Sequence, residues 1–119
     1  MKKILIIDDE DSVRRALQRV LSKEFEVEVA VDGIQGKEIW EKQQPDLVLL
    51  DVLMPNLTGP QLLTKISDGL KSKTIIVLMS AFTGEYNLEE SQKLGCRYFI
   101  SKPFADIFQV KEQIVQWLK

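Results

Sequence analysis

The sequence of 119 residues predicts an α/β fold in which five β-strands alternate with five α-helices. Short apolar runs recur along the chain, and each is followed by a longer stretch with apolar residues at helical spacing. Alternating strand and helix signals are typical of a parallel sheet covered by helices on both faces. The length suits one domain, so we expect residues 1–119 to fold as a single unit.

Five segments rich in apolar and β-branched residues are predicted as strands. They are Lys3–Ile7, Glu26–Val31, Asp46–Leu50, Thr74–Met79 and Arg97–Ile100. The third and fourth segments are apolar almost throughout, which is typical of central strands buried on both faces. The second alternates polar and apolar residues, which indicates an edge strand. With right-handed crossovers, these features favour a doubly wound, flavodoxin-like sheet of strand order 2-1-3-4-5.

Five further segments are predicted as helices from the spacing of their apolar residues. They are Asp11–Lys23, Gly33–Lys42, Thr58–Leu70, Glu85–Leu94 and Phe104–Leu118. We expect Asp11 or Ser12 to cap the first helix, because both side chains are short hydrogen-bond acceptors. The fourth helix is the weakest prediction, because it has few apolar residues before Gly95 ends it.

The composition excludes several functional classes. The chain has no histidine, which excludes Ser–His or Cys–His catalysis and imidazole zinc sites. Its single cysteine, Cys96, excludes an internal disulfide and is expected to be a buried apolar residue. The net charge of −2 indicates no basic surface for direct nucleic-acid binding. No apolar run approaches the ~20 residues of a membrane-spanning helix, so we expect no membrane contact and a cytoplasmic location.

Polar side chains follow four of the five predicted strands. Asp8 and Asp9 follow the first strand, Asp51 the third, Ser80 the fourth and Lys102 the fifth. The carboxyl ends of parallel strands lie at one edge of a sheet, where ligands bind at the topological switch point. We therefore expect these five side chains to converge there.

Three converging carboxylates predict a metal site. Two carboxylates ~4–5 Å apart repel by roughly 3–4 kcal/mol at an effective dielectric constant of ~20, so Asp8, Asp9 and Asp51 together require a cation. A site without histidine or cysteine ligands selects a hard ion, and Mg²⁺ is the natural choice. Mg²⁺ binding is then expected to raise the melting temperature. Lys102 and Ser80 suit a phosphoryl group, which Asp51 is placed centrally enough to carry covalently.

Five motifs resemble the receiver domain of bacterial two-component response regulators. They are I-D-D-E at 7–10, D-L-V-L-L-D-V-L-M-P at 46–55, Gly59, S-A at 80–81 and K-P-F at 102–104. Their order and spacing match that family over the whole chain. The resemblance implies a phosphoacceptor signalling domain that catalyses only its own phosphorylation and dephosphorylation, and is not otherwise an enzyme.

The resemblance also implies roles for the residues of the predicted site. Asp51 is expected to be the phosphoacceptor, and Asp8, Asp9, Asp51 and the backbone carbonyl of Leu53 are expected to hold Mg²⁺. Lys102 is expected to bind the phosphoryl oxygens, with a cis peptide bond to Pro103.

A second group of residues is expected to transmit phosphorylation. Ser80, assisted by the backbone N–H of Ala81, is expected to turn towards the phosphoryl group while Phe99 moves inward. Serine stands where the family more commonly has threonine. Leu53 and Phe82 are apolar at positions that flank the route of the hydrolytic water, so we expect slow dephosphorylation.

The resemblance implies partners on both sides of the signal. A sensor histidine kinase or a phosphotransfer protein is expected to donate the phosphoryl group. A downstream effector or a fused output domain is expected to bind the face formed by the fourth predicted helix, the fifth strand and the last helix. Dimerisation on phosphorylation is also expected to be possible in this family.

Three other functions are alternatives for a sequence with these acidic residues. D-E-D-S-V at 9–13 fits the nucleophile motif of haloacid-dehalogenase-type phosphatases, with Asp9 as nucleophile. Those enzymes need a further acidic pair after the lysine, where this chain has only Asp106 and Glu112. A flavin carrier would need a Gly- and Ser/Thr-rich first loop for its phosphate, where this chain has acidic residues. A pseudo-receiver that binds partners without phosphorylation is the third alternative.

Overall fold

The computed structural model describes residues 1–81 and 87–119, in which strands and helices alternate. The strands are β1 (Lys3–Ile7), β2 (Glu26–Ala30), β3 (Leu47–Asp51), β4 (Ile75–Ala81) and β5 (Tyr98–Lys102). The helices are α1 (Asp11–Leu21), α2 (Gly33–Gln43), α3 (Gly59–Lys65), α4 (Asp68–Ser72), α5 (Leu88–Lys93) and α6 (Ile107–Trp117). No helix among these residues is long and apolar enough to cross a membrane.

The five strands form one parallel sheet in the order β2-β1-β3-β4-β5, which confirms the predicted fold class and strand order. The central strand β3 is buried along its whole length. On the edge strand β2, Glu26 and Glu28 are exposed while Val27 and Val29 are half-buried. The alternation of polar and apolar residues in β2 therefore reflects a strand with one covered face.

Helices cover both faces of the sheet and create two apolar cores. Leu5 and Ile7 point into the core that contains Trp40 of α2, whereas Ile4 and Ile6 point into the core that contains Leu17 of α1. This division follows from the two-residue period of a strand, which sends successive side chains to opposite faces. Both faces of the sheet are thus packed against apolar side chains, and the hydrogen-bonded strands end beside one another at the same edge.

Cys96 is buried in the first of these cores, as predicted. Burial raises the pKa of its thiol to about 12, and the positive charge of Lys71 opposes this only in part. The thiol therefore stays protonated at neutral pH, consistent with a packing role.

The prediction of one helix over Thr58–Leu70 is wrong, because the segment forms α3 and α4. Ile66 is in an extended conformation (φ −94°, ψ 136°) and its side chain is buried. Ser67 then caps α4 by accepting a hydrogen bond from the backbone N–H of Leu70. A serine side chain that bonds to the backbone competes with helix continuation, which explains the break.

The start of α1 also differs from the prediction. Glu10 is the N-cap residue, whereas Asp11 is the first helical residue, so neither Asp11 nor Ser12 caps the helix. The Glu10 side chain makes no capping hydrogen bond.

Three strands extend further at their carboxyl ends than predicted, and this places site residues within regular structure. Asp51 is the last residue of β3, and Lys102 is the last residue of β5. β4 continues through Ser80 to Ala81. Of the predicted helix Glu85–Leu94, the described residues include α5, which Asn87 caps. The first two residues of that predicted helix, Glu85 and Tyr86, lie outside the described residues, as does Phe82.

We expect Gly59→Ala to destabilise the domain, because a Cβ at this position would overlap the backbone carbonyl oxygen of Asp51. The N–H of Gly59 also donates to the carbonyl of Val52 at 2.9 Å, which fixes α3 close to β3. Overpacking of this kind costs about 1–3 kcal/mol, measurable by urea denaturation.

Gly69→Ala is the matched control, because Gly69 is exposed in α4 and a Cβ there has no neighbour within 4 Å. Alanine stabilises helix interiors, so this variant should be unchanged or slightly more stable. Equal stability of the Gly59→Ala variant and the parent would contradict the proposed close packing.

Candidate functional site

A cavity of about 310 Å³ opens at the carboxyl ends of β3, β4 and β5 and at the start of α1. Its lining residues are Glu10, Val13, Asp51, Leu53, Ser80, Ala81, Lys102 and Pro103. The cavity therefore combines two acidic side chains, an ammonium and a hydroxyl with an apolar rim.

Three carboxylates meet beside this cavity. Asp8, Asp9 and Asp51 each offer an oxygen, and these oxygens lie within 4.8 Å of one another. Asp8 and Asp51 are buried, whereas Asp9 is exposed. The convergence predicted from the strand ends is thus present, because Asp8 and Asp9 follow β1 directly and Asp51 ends the neighbouring strand β3.

The backbone around Asp8 holds its carboxylate in place. Its Oδ1 accepts a hydrogen bond from the backbone N–H of Glu10 at 2.9 Å. Its own N–H donates to the carbonyl of Ala30, and its carbonyl accepts from the Arg14 guanidinium at 2.7 Å. These contacts join β1 to β2 and α1 at the point where the acidic side chain enters the site.

Lys102 reaches into the acidic cluster from β5. Its Nζ lies 2.9 Å from Asp8 Oδ2, 3.1 Å from Glu10 Oε1 and 3.3 Å from Asp51 Oδ1. Only 11% of the lysine side chain is exposed. The sequence prediction did not assign a role to Glu10, although its position directly after Asp8 and Asp9 was a usable signal.

The site is buried and carries more negative than positive charge, and both properties shift the pKa values of its groups. Burial, and next the charge of Asp8, raise the pKa of Asp51 to about 7, although Lys102 opposes the shift. Burial also raises the pKa of Asp8. For Lys102, burial alone would lower the pKa, but the hydrogen bond to Asp8 and the charge of Asp51 raise it overall.

The acidic cluster fits a metal ion of the hard class. All three side chains offer carboxylate oxygens. Burial is the main cause that raises the pKa values of Asp8 and Asp51, and the contacts with Lys102 do not give their negative charges full compensation. A divalent cation would supply that compensation. Leu53, two residues after Asp51, also lines the cavity.

The remaining predicted residues surround the cavity. Ser80 is 5% exposed, and Ala81, the next residue, lies at the rim. The peptide bond between Lys102 and Pro103 is cis, which confirms that prediction. Phe99 is partly buried against the core that contains Trp40, so its side chain faces the α2 and α3 layer.

Comparison with known proteins identifies the family. Residues 4–114 match the response regulator receiver domain. The chain belongs to this family. Sporulation initiation phosphotransferase F of Bacillus subtilis strain 168 is 32% identical over 118 residues, covering 98% of this chain and 94% of that protein. Chemotaxis protein CheY of Halobacterium salinarum is 29% identical, covering 87% of this chain and 86% of that protein.

Solved receiver structures share the fold. A CheY-like receiver domain protein of Methanospirillum hungatei superimposes with a TM-score of 0.87 at 26% identity, covering 99% of this chain and 94% of that one. Chemotaxis protein CheY4 of Vibrio cholerae gives a TM-score of 0.86 at 25% identity, with 98% coverage of both chains.

The receiver domain described here is therefore a phosphoacceptor signalling domain of a two-component system. Membership of the family implies a histidine kinase or a phosphotransfer protein as its partner. It also favours this function over the phosphatase and flavin-carrier alternatives.

We expect Asp51→Asn to stabilise the metal-free receiver at neutral and higher pH. The folded pKa of about 7 lies above the ordinary value of 3.8, so the stability that protonated Asp51 contributes is lost as pH rises between these values. The asparagine variant does not lose it, and should gain roughly 2–4 kcal/mol in unfolding free energy by pH 8.

Urea denaturation in excess chelator at pH 5, 6.5 and 8 measures this difference, which should grow with pH. Asp68→Asn, which removes a fully exposed carboxylate in α4, is the control and should show no such growth. A difference between the Asp51→Asn variant and the parent that is independent of pH would contradict the prediction.

Proposed function

We propose that Asp51 accepts the phosphoryl group in a Mg²⁺-dependent reaction. One observation carries this proposal: Asp51 is a buried carboxylate at the end of the central strand, with Asp8 and Asp9 beside it and the ammonium of Lys102 in contact with it. The cavity gives a phosphoryl donor access to this carboxylate.

The proposed reaction is a phosphoryl transfer between a phosphohistidine and an aspartate. A carboxylate oxygen of Asp51 attacks phosphorus and forms an O–P bond. The N–P bond of the donor breaks, and the imidazole nitrogen leaves with the electron pair and takes a proton from solvent. Such transfers depend chiefly on positioning and on stabilising the charge of the phosphoryl oxygens.

Mg²⁺ is the cation that suits the donor set of the site. We propose that Asp8, Asp9, Asp51 and the backbone carbonyl of Leu53 hold it, because oxygen donors select hard ions. When bound, Mg²⁺ supplies positive charge that keeps Asp51 ionised and offsets the charge of the phosphoryl oxygens.

Lys102 and Ser80 complete the proposed set. The Lys102 ammonium lies 3.3 Å from Asp51 Oδ1, which places it within reach of a phosphoryl oxygen carried by that residue. Ser80 lines the same cavity from β4 and can donate its hydroxyl hydrogen, with the N–H of Ala81 assisting from the next residue. Both groups act on the transferred group rather than on the donor.

The output of the receiver is proposed to pass through α5, β5 and α6. Ser80 pairs in register with Ser101 of β5, two residues beyond Phe99. Movement of Ser80 towards a phosphoryl group would therefore shift its neighbour in β5 and change the environment of Phe99. A downstream effector or fused output domain that binds this face, or a second phosphorylated copy, would sense the change.

The geometry favours Asp51 over Asp9 as the nucleophile. Asp9 is exposed. Within the described residues, Lys102 forms ion pairs with Asp8, Glu10 and Asp51, and not with Asp9. The expected slow dephosphorylation stays a prediction. Of the two residues on which it depends, Leu53 lines the cavity and is 74% exposed, whereas Phe82 lies outside the described residues.

The test is the intact mass of the protein after incubation with acetyl phosphate and Mg²⁺. We expect one phosphoryl group on the parent chain, and none on Asp51→Asn or on the parent in chelator. Asp9→Asn should be slowed but, unlike Asp51→Asn, should keep the acceptor.

Two results would contradict the proposal. Phosphorylation of the Asp51→Asn variant at the parent rate would place the acceptor elsewhere. No phosphorylation of the parent by acetyl phosphate or by a phosphohistidine protein would indicate a pseudo-receiver.

A further inference from the structure

Lys102 has no N–H group to spare in the unphosphorylated domain. An ammonium carries three donors. Three carboxylate oxygens, from Asp8, Glu10 and Asp51, lie 2.9, 3.1 and 3.3 Å from the Lys102 nitrogen. A phosphoryl oxygen that arrives at Asp51 can bind Lys102 only if one of these carboxylates gives way.

Exposure indicates which carboxylate gives way. The side chains of Asp8 and Asp51 are 0% and 7% exposed, whereas that of Glu10 is 57% exposed. Removing the partner of a buried charge is strongly unfavourable, but an exposed carboxylate regains hydration when it leaves an ion pair. Glu10 also lies outside the acidic cluster that fits a metal ion, so a cation would not compete for its carboxylate.

The local structure of α1 shows that the Glu10 side chain serves Lys102 rather than its own helix. Glu10 is the N-cap residue of α1, a position that favours short acceptors, yet its side chain makes no capping contact. Its backbone is fixed, because its N–H donates to Asp8 at 2.9 Å and its carbonyl accepts from the N–H of Arg14 at 3.1 Å. The carboxylate therefore stands at the cavity mouth on an anchored backbone.

We propose that Glu10 is a positioning residue that holds Lys102 in the unphosphorylated domain and is displaced from it when a phosphoryl donor binds. The inference rests on the proposed role of Asp51 as acceptor. Glu10 acts through Lys102 and does not touch the transferred group. Its displacement removes this ion pair between the end of β5 and the start of α1.

In this role, Glu10 slows phosphorylation of the domain. Breaking the contact between Glu10 and Lys102 adds to the barrier for every donor. Glu10→Gln weakens that contact and is expected to accelerate phosphorylation by acetyl phosphate by about 1.4-fold to fivefold, the range expected for an exposed ion pair. In this step an Asp51 oxygen forms the O–P bond, the O–P bond of acetyl phosphate breaks, and acetate leaves.

The experiment compares initial rates of phosphorylation, followed by intact mass, for the parent and three variants at fixed Mg²⁺ and acetyl phosphate. Glu10→Asp keeps the charge but shortens the side chain by one methylene, so it should lose the contact with Lys102 and approach the rate of Glu10→Gln. Glu38→Gln removes an exposed carboxylate on α2 away from the cavity and should match the parent.

Each alternative outcome has a distinct meaning. A phosphorylation rate of Glu10→Gln at or below that of the parent would overturn the inference that Glu10 slows phosphorylation. Glu10→Asp at the parent rate with Glu10→Gln accelerated would also overturn it, because charge at the cavity mouth would then explain the effect without the contact. A parent that takes up no phosphoryl group would overturn the proposed function and this inference together, whereas normal uptake at Asp51 with unchanged variants would overturn the inference alone.

Discussion

The contact between Lys102 and two buried carboxylates is the interaction on which the site depends. Asp8 and Asp51 lie at the ends of neighbouring central strands, and the Lys102 ammonium from β5 touches both. Removing the positive charge of Lys102 would leave the buried carboxylates of Asp8 and Asp51 without this partner, which is costly. Yet one ammonium does not balance these acids together with Asp9 and Glu10. Burial, and next the charge of Asp8, raise the pKa of Asp51 to about 7. The fold therefore maintains a deficit of positive charge where a cation and a phosphoryl group would bind.

Much of the fold could be predicted because its signals are local. The apolar run of β3 and the alternation of Glu26 to Ala30 distinguish a central strand from an edge strand, and the structure confirms both. The break between α3 and α4 could not be read in the same way. Ile66 suits the apolar stripe of a continuous helix, and only its burial in an extended conformation, followed by the Ser67 cap, ends that helix.

The site was predictable to the extent that strand ends reveal it. Asp8 follows β1, Asp51 and Lys102 end their strands, and Ser80 is the second-last residue of β4. Parallel pairing brings these residues to one edge of the sheet. The contact between Glu10 and Lys102 depends instead on how α1 begins. A sequence pattern favours Asp11 or Ser12 as the cap, whereas the structure uses the backbone of Glu10 and leaves its side chain for Lys102. Departures from local preference at a functional site are expected, because the side chain serves the site.

The dependence of thermal stability on Mg²⁺ measures whether this receiver lacks positive charge at Asp8, Asp9 and Asp51. The melting temperature of the parent should rise with Mg²⁺ concentration, by an amount equivalent to about 2.7 kcal/mol at a hundredfold excess over Kd. Asp8→Asn and Asp51→Asn should show a much smaller rise, and NaCl at equal ionic strength should not reproduce it. A parent melting temperature unchanged at millimolar Mg²⁺, or an equal rise in all three proteins, would contradict the account.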